Sequence, residues 1–240
     1  MRCVPILVFA ASSSIVLASC AHPGEVVNLD AYRLTPSHGP LQRVAVLPFA
    51  GTPEAEPLFA HVTAALRSHP SVRELRTDWR WERPDADFVP DVVLSIEPTP
   101  GFSGSLWNYL ITFPGFLLFT PAWHGYVYSG DITTTVRVHD PKTHDVVRSD
   151  AIETAYSMRH CDFGRAFWAE IGWWTPGYGA ASAFTGLYMI TYDADATAPF
   201  HANIRAPYGE YIAERSLGPV IAVARGRADS IDARVLGAVD

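Results

Sequence analysis

The sequence predicts an α/β protein, with helices packed on a mixed β-sheet and two further apolar, aromatic-rich helical segments. Three patterns lead to this fold class. The run "RVAVLPFAG" is typical of a buried strand, and a helical repeat of apolar residues follows it. The stretch from Asp131 to Met158 alternates apolar and polar residues around a turn. Two uncharged or nearly uncharged aromatic stretches occupy the middle of the 240-residue chain.

Residues 1–19 are predicted to be a removable export signal. Arg2 precedes an uncharged apolar run from Cys3 to Ala18, which is the layout of a signal peptide rather than of a spanning helix with its usual flanks. The run ends in Leu17-Ala18-Ser19-Cys20.

That ending resembles the lipobox of bacterial lipoproteins. The resemblance implies cleavage before Cys20, acylation of its sulfur (palmitate in many such proteins) and of the new amino terminus, and an almost irreversible membrane anchor. Ala21 in place of an aspartate implies, by the family's sorting rule, an anchor in the bacterial outer membrane, with the protein facing the periplasm. Residues 20–40 contain proline, glycine and no sustained period, so they are predicted to be a lipidated tether.

Residues 41–160 are predicted to form the α/β domain. The first strand covers Val44 to Phe49, and Thr52 is expected to cap a helix that ends near Pro70. Further strands are predicted in "SVRELRTDW" and in "DVVLSIE", the latter ending at Pro98. The hairpin places Ile132, Thr134, Val136 and Val138 on one face and turns at Asp140-Pro141-Lys142-Thr143. The predicted central core consists of Val44, Val46, Leu47, Leu94 and Ile96.

The order "RVAVLPFAG", helix, "PDVVLSIEP" and hairpin resembles a plan shared by several envelope lipoproteins. They are the curli secretion channel lipoprotein, the outer-membrane lipoproteins that activate penicillin-binding proteins, and the amino-terminal domain of the Tol-Pal periplasmic protein. The resemblance covers roughly Leu41 to Met158. It implies an envelope protein with an α/β domain, and it assigns no functional residue.

An apolar insertion at 101–128 departs from that plan. Its centre, "LWNYLITFPGFLLFTPAW", contains no charge, and Pro114-Gly115 predicts a bend between two short arms. The sequence leaves open whether the insertion is buried, touches the membrane or meets a partner protein. If it is exposed, Trp107, Phe116 and Trp123 are expected to contact lipid headgroups or a partner, because aromatic rings favour the interface.

Residues 161–240 are predicted to be a helical part that packs on the domain or on the membrane. The stretch from Ala166 to Tyr192 has its own central Pro-Gly, and Trp173 and Trp174 are further candidates for membrane or partner contact. A helix is expected near 207–217, with a break at Gly218-Pro219 before a second helix or a strand.

Composition excludes some functions and favours others. The net charge of −7 argues against nucleic acid as a partner. The expected partners are the membrane, through the lipid anchor, and other envelope proteins or further copies of the chain. No phosphate loop, dinucleotide fingerprint or two-histidine zinc helix is found, so neither cofactor nor metal is expected.

Three groups of residues could carry chemistry. His139, Asp140, His144 and Asp145 have a metal-like spacing, but they lie across the predicted hairpin turn. His160-Cys161-Asp162 places an imidazole beside a thiol. Glu97 could act as an acid or base together with Asp131 or Glu153. None of them forms a recognisable reaction centre, so no catalytic residue is predicted.

The sequence therefore favours a non-catalytic, lipid-anchored envelope protein acting in assembly, secretion or scaffolding. The alternative is a lipid-anchored periplasmic hydrolase or carbohydrate-active enzyme with a tryptophan-lined cleft. A pocket with two carboxylates, or with a histidine and a serine in hydrogen-bond reach, would favour the alternative.

Overall fold

The computed structural model describes residues 24–84, 86–111, 124–161 and 194–236. Six strands and three helices follow one another in the order β1 (Glu25–Val26), β2 (Gln42–Val46), α1 (Glu56–Ser68), β3 (Val72–Arg76), β4 (Val92–Gly104), α2 (Leu106–Ile111), β5 (Tyr126–His139), β6 (Val146–His160) and α3 (Ala194–Leu236), with a 3-10 turn at Leu29–Tyr32. No helix within these ranges is long and apolar enough to cross a membrane.

The strands form one mixed sheet in the order β1-β6-β5-β4-β2-β3. β2 runs parallel to both β3 and β4, whereas β1 runs antiparallel to β6. The α/β fold class predicted from the sequence is confirmed. By contacts the chain divides into a first unit (Met1–Asn28, Gly101–Asp131 and Ala155–Ile204) and a second unit (Leu29–Pro100, Ile132–Thr154 and Arg205–Asp240).

In the second unit, β2 is buried on both faces, as predicted, with Val44, Ala45 and Val46 inaccessible to solvent. Leu94 and Ile96 of β4 are buried beside it. Leu47 is the exception among the predicted core residues, because β2 ends before it and its side chain is half-buried.

The start of α1 differs from the prediction. Thr52 does not cap the helix; its carbonyl accepts the Ala55 N–H in a preceding turn, and α1 begins at Glu56. Pro57, in the first turn, takes the position where the missing N–H costs nothing. Leu58, Val62 and Leu66 form the buried stripe that the helical spacing predicted.

β4 continues past its predicted end at Pro98 and includes Pro100. The ladder between β2 and β4 stops at Leu94. Beyond this point none of the described strands pairs with that side of β4, so a proline there needs no hydrogen-bonding N–H.

The predicted hairpin of β5 and β6 is confirmed. Ile132, Thr134, Val136 and Val138 are all buried on one face. In the turn, the Asp140 carboxylate accepts the N–H groups of Lys142 and Thr143 at 2.7 and 3.1 Å.

α3 shows a second difference, because the predicted break at Gly218-Pro219 is wrong. The helix runs through both residues. A proline inside a helix costs about 3 kcal/mol, and the flanking Leu217 and Ile221 are buried, which offsets that cost.

Tyr208 of the same helix is also buried; its hydroxyl lies 2.7 Å from Thr134 Oγ1. Burial raises the pKa of Tyr208, and this hydrogen bond opposes the rise.

In the first unit, Phe200 is the central core ring. It lies 5.2 Å from the ring of Phe102 and 6.2 Å from that of Tyr156, centroid to centroid. Gly130 of β5 faces the same ring, and a Cβ at this position would collide with it. A glycine is required here for Phe200 to pack on the strand.

Candidate functional site

A cluster of polar side chains around Glu214 connects three distant parts of the second unit. We call Ser37, Gly39, His69, Ser71 and Glu214 the Glu214 cluster. Both oxygens of the carboxylate are used: the Ser37 hydroxyl donates to Oε1 at 2.6 Å, and the Ser37 N–H donates to Oε2 at 3.0 Å. His69 Nε2 lies 2.9 Å from the same Oε2. Glu214 thus joins α3 to the end of α1 and to the segment before β2.

Ser71 completes the cluster on the Nδ1 side of the His69 imidazole. Its hydroxyl donates to the Ser37 carbonyl at 3.0 Å and accepts the Gly39 N–H at 3.0 Å. Its own N–H donates to His69 Nδ1 at 3.2 Å. Ser71 is fully buried, so these bonds are shielded from water.

The bonds fix the state of His69. Because a backbone N–H donates to Nδ1, that nitrogen is the acceptor, and the network assigns the proton to Nε2, which donates it to Glu214. Only 5% of the His69 side chain is exposed. Neither imidazole nitrogen is left to take a proton from a serine, so the cluster lacks the base that a serine nucleophile requires.

Glu214 is held in its ionised form. Burial would raise the pKa of this carboxyl, but the hydrogen bonds from Ser37 and His69 more than offset burial, and its pKa lies below the ordinary value. A carboxyl with a lowered pKa is a poor general acid at neutral pH. The arrangement is therefore suited to binding chain segments together.

An open cleft of about 540 Å³ borders the cluster. It lies between the outer part of β6 and α3, and it is lined by Leu34, Arg148, Asp150, Ala151, Ile152, Glu214, Arg215, Gly218 and Pro219. Two carboxylates line it, as the hydrolase alternative requires. However, Asp150 binds Arg148 through both oxygens, at 2.5 and 3.2 Å, and Glu214 is engaged as described, so neither is poised as an acid and base pair.

The other chemical candidates from the sequence fall in less reactive settings. Glu97 accepts from Arg137 Nη1 at 2.7 Å and from Ser95 at 3.3 Å, which places a cation beside it. At the hairpin turn, His144 stacks on Trp81 with ring centroids 4.1 Å apart. The described residues contain no group of three metal-ligating side chains. His160 and Cys161 are buried, and Asp162 lies outside the described residues.

Among the predicted contact residues, the structure describes only Trp107; Cys20, Phe116, Trp123, Trp173 and Trp174 lie outside the described residues. Trp107 is half-buried in α2, with its ring edge-on to His124 at 6.1 Å. Asn108 anchors this helix, since its side chain donates to the Val127 carbonyl at 2.7 Å and accepts the Val127 N–H at 2.6 Å.

The exposed face of α2 is apolar. Leu106 is 67% exposed and Leu110 is 45% exposed, and the two are spaced to share one face. Both leucines belong to the first unit, at the start of the apolar insertion.

The predicted tether is bound to the rest of the chain from Gly24 onward. In the first unit, the Gly24 carbonyl accepts from Asn203 at 2.6 Å, and β1 pairs with β6. In the second unit, Tyr32 packs edge-on against Tyr211 at 5.2 Å, and Ser37 and Gly39 join the Glu214 cluster.

Sequence reasoning did not find the Glu214 cluster. His69 and Glu214 are 145 positions apart, and Ser37 and Glu214 are 177 positions apart. No spacing rule connects residues at such separations. A serine, a glycine and a histidine next to a proline also look like ordinary loop residues.

Comparison with known proteins gives distant similarity in structure. No family model and no curated protein matches the sequence. Similar solved structures include a DUF330 family protein from Xanthomonas campestris (12% identity, TM-score 0.36, 70% of this chain and 93% of that one). Others are a minor lipoprotein from Acinetobacter baumannii (12%, TM-score 0.29, 61% and 91%) and the PelC dodecamer from Paraburkholderia phytofirmans (14%, TM-score 0.27, 78% and 97%).

These identities and TM-scores are too low to identify a family or to assign a function. The resemblance to the curli, penicillin-binding-protein activator and Tol-Pal group stays a prediction from the sequence.

Proposed function

We propose that this protein is a non-catalytic, lipid-anchored envelope protein of the bacterial outer membrane, acting in assembly, secretion or scaffolding through membrane and protein contacts. Acyl groups on Cys20 hold it on the periplasmic face. The observation that carries the proposal is the short stretch of chain between Cys20 and Gly24, which is bound to the fold and is the first residue that the structure describes.

Cys20 lies four residues before Gly24, whose carbonyl is bound by Asn203. A fully extended chain spans at most about 3.6 Å per residue, so the anchored residue can lie at most about 14 Å from Gly24. A longer tether would let the domain move away from the bilayer. Since 24–40 is bound along the protein, acylation would instead keep the first unit at the membrane surface.

The exposed leucines of α2 suit that position. An apolar pair on a helix with its opposite face anchored by Asn108 can enter the boundary between headgroups and acyl chains. Trp107 beside them has the amphipathic ring that favours the same depth. Membrane contact by this helix would add to the acyl anchor without any span.

The Glu214 cluster supports a structural role in the second unit. Through Ser37 and Gly39, it holds the end of the predicted tether against α1 and α3 with bonds that leave no reactive group unengaged. A protein that holds partner proteins at a fixed position relative to its anchor needs such rigid connections. A hydrolase instead needs a base that is able to accept the proton of its nucleophile.

The anchor is tested by changing its sulfur. We expect Cys20→Ala to leave an unprocessed precursor or a soluble form, because lipobox processing requires the thiol. Cys161→Ala, which removes a buried cysteine, is the control and should fractionate with the membrane. A Cys20→Ala protein of mature size in the membrane fraction would overturn the proposed anchor.

The membrane contact is tested with an environment-sensitive fluorophore on Leu110→Cys in the acylated protein bound to phospholipid vesicles. We expect a blue shift on binding that disappears when a long glycine-serine spacer is inserted between Pro23 and Gly24. The same label on Val89→Cys, an exposed apolar residue of the second unit, is the control and should not shift. An aqueous spectrum for the Leu110 label on vesicles would contradict membrane contact by α2.

A further inference from the structure

Within the part of the chain that the structure describes, the outer edge of β6 is open over much of its length. In the strand order β6 is followed only by β1, and β1 pairs with it at two positions, Glu25 with Arg159 and Val26 with Met158. Asn28 extends this cover through its side chain, which donates to the Ala155 carbonyl and accepts the Ser157 N–H. Between Val146 and Thr154, none of the described residues forms a backbone ladder with this edge.

The covered end of β6 shows which backbone groups point outward. The Ser157 carbonyl accepts the Val27 N–H at 2.9 Å, and the Ala155 carbonyl accepts from Asn28 at 2.8 Å. In a strand, backbone groups alternate in direction from one residue to the next. The N–H and C=O groups of the odd-numbered residues of β6 therefore point away from the sheet, toward its outer edge. Burial alternates regularly from Ile152 to His160.

The same alternation reaches Arg148, because the ion pair between Arg148 and Asp150 places these two even-numbered residues on one side of the strand. The N–H and C=O groups of Ser149, Ala151 and Glu153 therefore point away from the sheet. Such a row of outward groups is a template for another strand.

The side chains along this edge are self-complementary. Arg148 and Asp150 flank Ser149 symmetrically. When a second copy of the strand is placed antiparallel with Ser149 opposite Ser149, each Arg148 lies opposite an Asp150 of the other copy. Val147 then lies opposite Ala151, and Val146 lies opposite Ile152. Opposite residues share a face, so charges meet charges and apolar groups meet apolar groups.

The backbone agrees with this register. The backbone N–H and C=O of Ser149 point outward, so they can form two hydrogen bonds with the C=O and N–H of Ser149 in the second copy. The neighbouring Arg148 and Asp150 then fall at the closer, non-hydrogen-bonded positions. The open cleft beside β6 leaves both charged side chains accessible. The pairing would also cover Val147, which is 62% exposed.

We propose that two copies of this chain pair antiparallel along β6, about a two-fold axis at Ser149, to form a continuous sheet. A two-fold contact closes on itself, so it covers the open edge without starting a filament. The contact goes beyond the proposed anchoring and does not depend on it, so its failure would leave the lipid anchor standing.

The register is tested by cross-linking the acylated, full mature chain in mild detergent. Across the axis, the Cα atoms at position 149 would lie about 5.5 Å apart, within the range of a disulfide. We expect Ser149→Cys to form a disulfide-linked dimer under mild oxidation. Glu153→Cys, exposed on the same face of the same strand, is the matched control, because its two copies would lie roughly 27 Å apart.

Equal cross-linking of the two variants, cross-linking by Glu153→Cys alone, or cross-linking by neither would overturn the proposed register. A wild-type chain that sediments as a monomer over the whole accessible concentration range would overturn the dimer itself.

The charge reciprocity is tested by exchange. Arg148→Asp or Asp150→Arg alone places like charges opposite each other twice, and we expect the dimer dissociation constant to rise roughly tenfold. The double exchange Arg148→Asp/Asp150→Arg restores the opposite charges and should restore wild-type association. If the single variants dimerise as tightly as wild type in sedimentation velocity, the pairing of Arg148 with Asp150 of the second copy is excluded.

Discussion

Two carboxylates of the second unit, each bound to a basic side chain, differ in what surrounds them. Glu214 and His69 are 13% and 5% exposed, and neutral donors from Ser37 share the carboxylate. Asp150 and Arg148 are 37% and 49% exposed, and they bind mainly each other. The distance is shorter in the exposed pair, yet the buried pair connects three segments, whereas the exposed one connects residues two positions apart on one strand. Burial and shared partners, rather than distance, make such a contact structural.

The largest effect is expected when the carboxylate of the buried Glu214–His69 pair is removed. We expect Glu214→Ala to lower the free energy of unfolding by about 3 kcal/mol, because it leaves the Ser37 and His69 donors without their acceptor. Glu210→Ala, an exposed residue one turn earlier in α3, is the control and should change stability little. Urea denaturation measures both, and equal effects would contradict the structural role of the cluster.

Ser71 provides a smaller test of the same cluster. Ser71→Ala removes one donor and one acceptor but keeps the N–H that orients His69, so we expect a loss of about 1.5 kcal/mol. Ser68→Ala, at the exposed end of α1, is the matched control. Thermal unfolding should show a lower stability for Ser71→Ala than for Ser68→Ala. A Ser71→Ala protein as stable as wild type would show that water replaces the hydrogen bonds of Ser71 without cost.

Acidification sharpens the comparison further. The pKa of Glu214 is lower in the folded chain than in the unfolded one, because the bonds from Ser37 and His69 outweigh burial. The stability from its ionised form is complete above the ordinary glutamate pKa of about 4.3 and is lost as the pH falls through the lowered folded value. In urea denaturation, the difference between wild type and Glu214→Gln should therefore shrink with acidification. A difference that stays constant with pH would contradict this assignment.

The smallest effect is expected at the exposed pair. Arg148→Ala should change the unfolding free energy of the dilute, monomeric chain by less than about 1 kcal/mol, because water screens the interaction. The pKa of Arg148 is raised by its hydrogen bond to Asp150, but the guanidinium is charged at neutral pH with or without that shift. A loss as large as that of Glu214→Ala would mean that this pair stabilises the monomer and is not available for exchange between copies.

The sequence alone determined the elements whose signals are local. The buried run of β2, the apolar stripe of α1 and the alternation of the β5-β6 hairpin each follow from a period along the chain, and the structure contains all three. The Asp140 turn also followed from sequence, since an aspartate side chain binds N–H groups two and three residues ahead. The contact role of Trp107, Phe116, Trp123, Trp173 and Trp174 and the acylation of Cys20 stay predictions.

Only the tertiary structure decided the features that depend on distant neighbours. Pro98 is tolerated in β4 because β2 has already ended beside it, and α3 continues through Pro219 because the flanking Leu217 and Ile221 are buried. The segment 24–40 has no period of its own, yet it is ordered by contacts with Asn203, Tyr211 and Glu214. The Glu214 cluster and the open edge of β6 have the same origin. Periodicity reports which face of a local element is apolar, whereas hydrogen-bond partners more than a hundred positions away are set by how the whole chain packs.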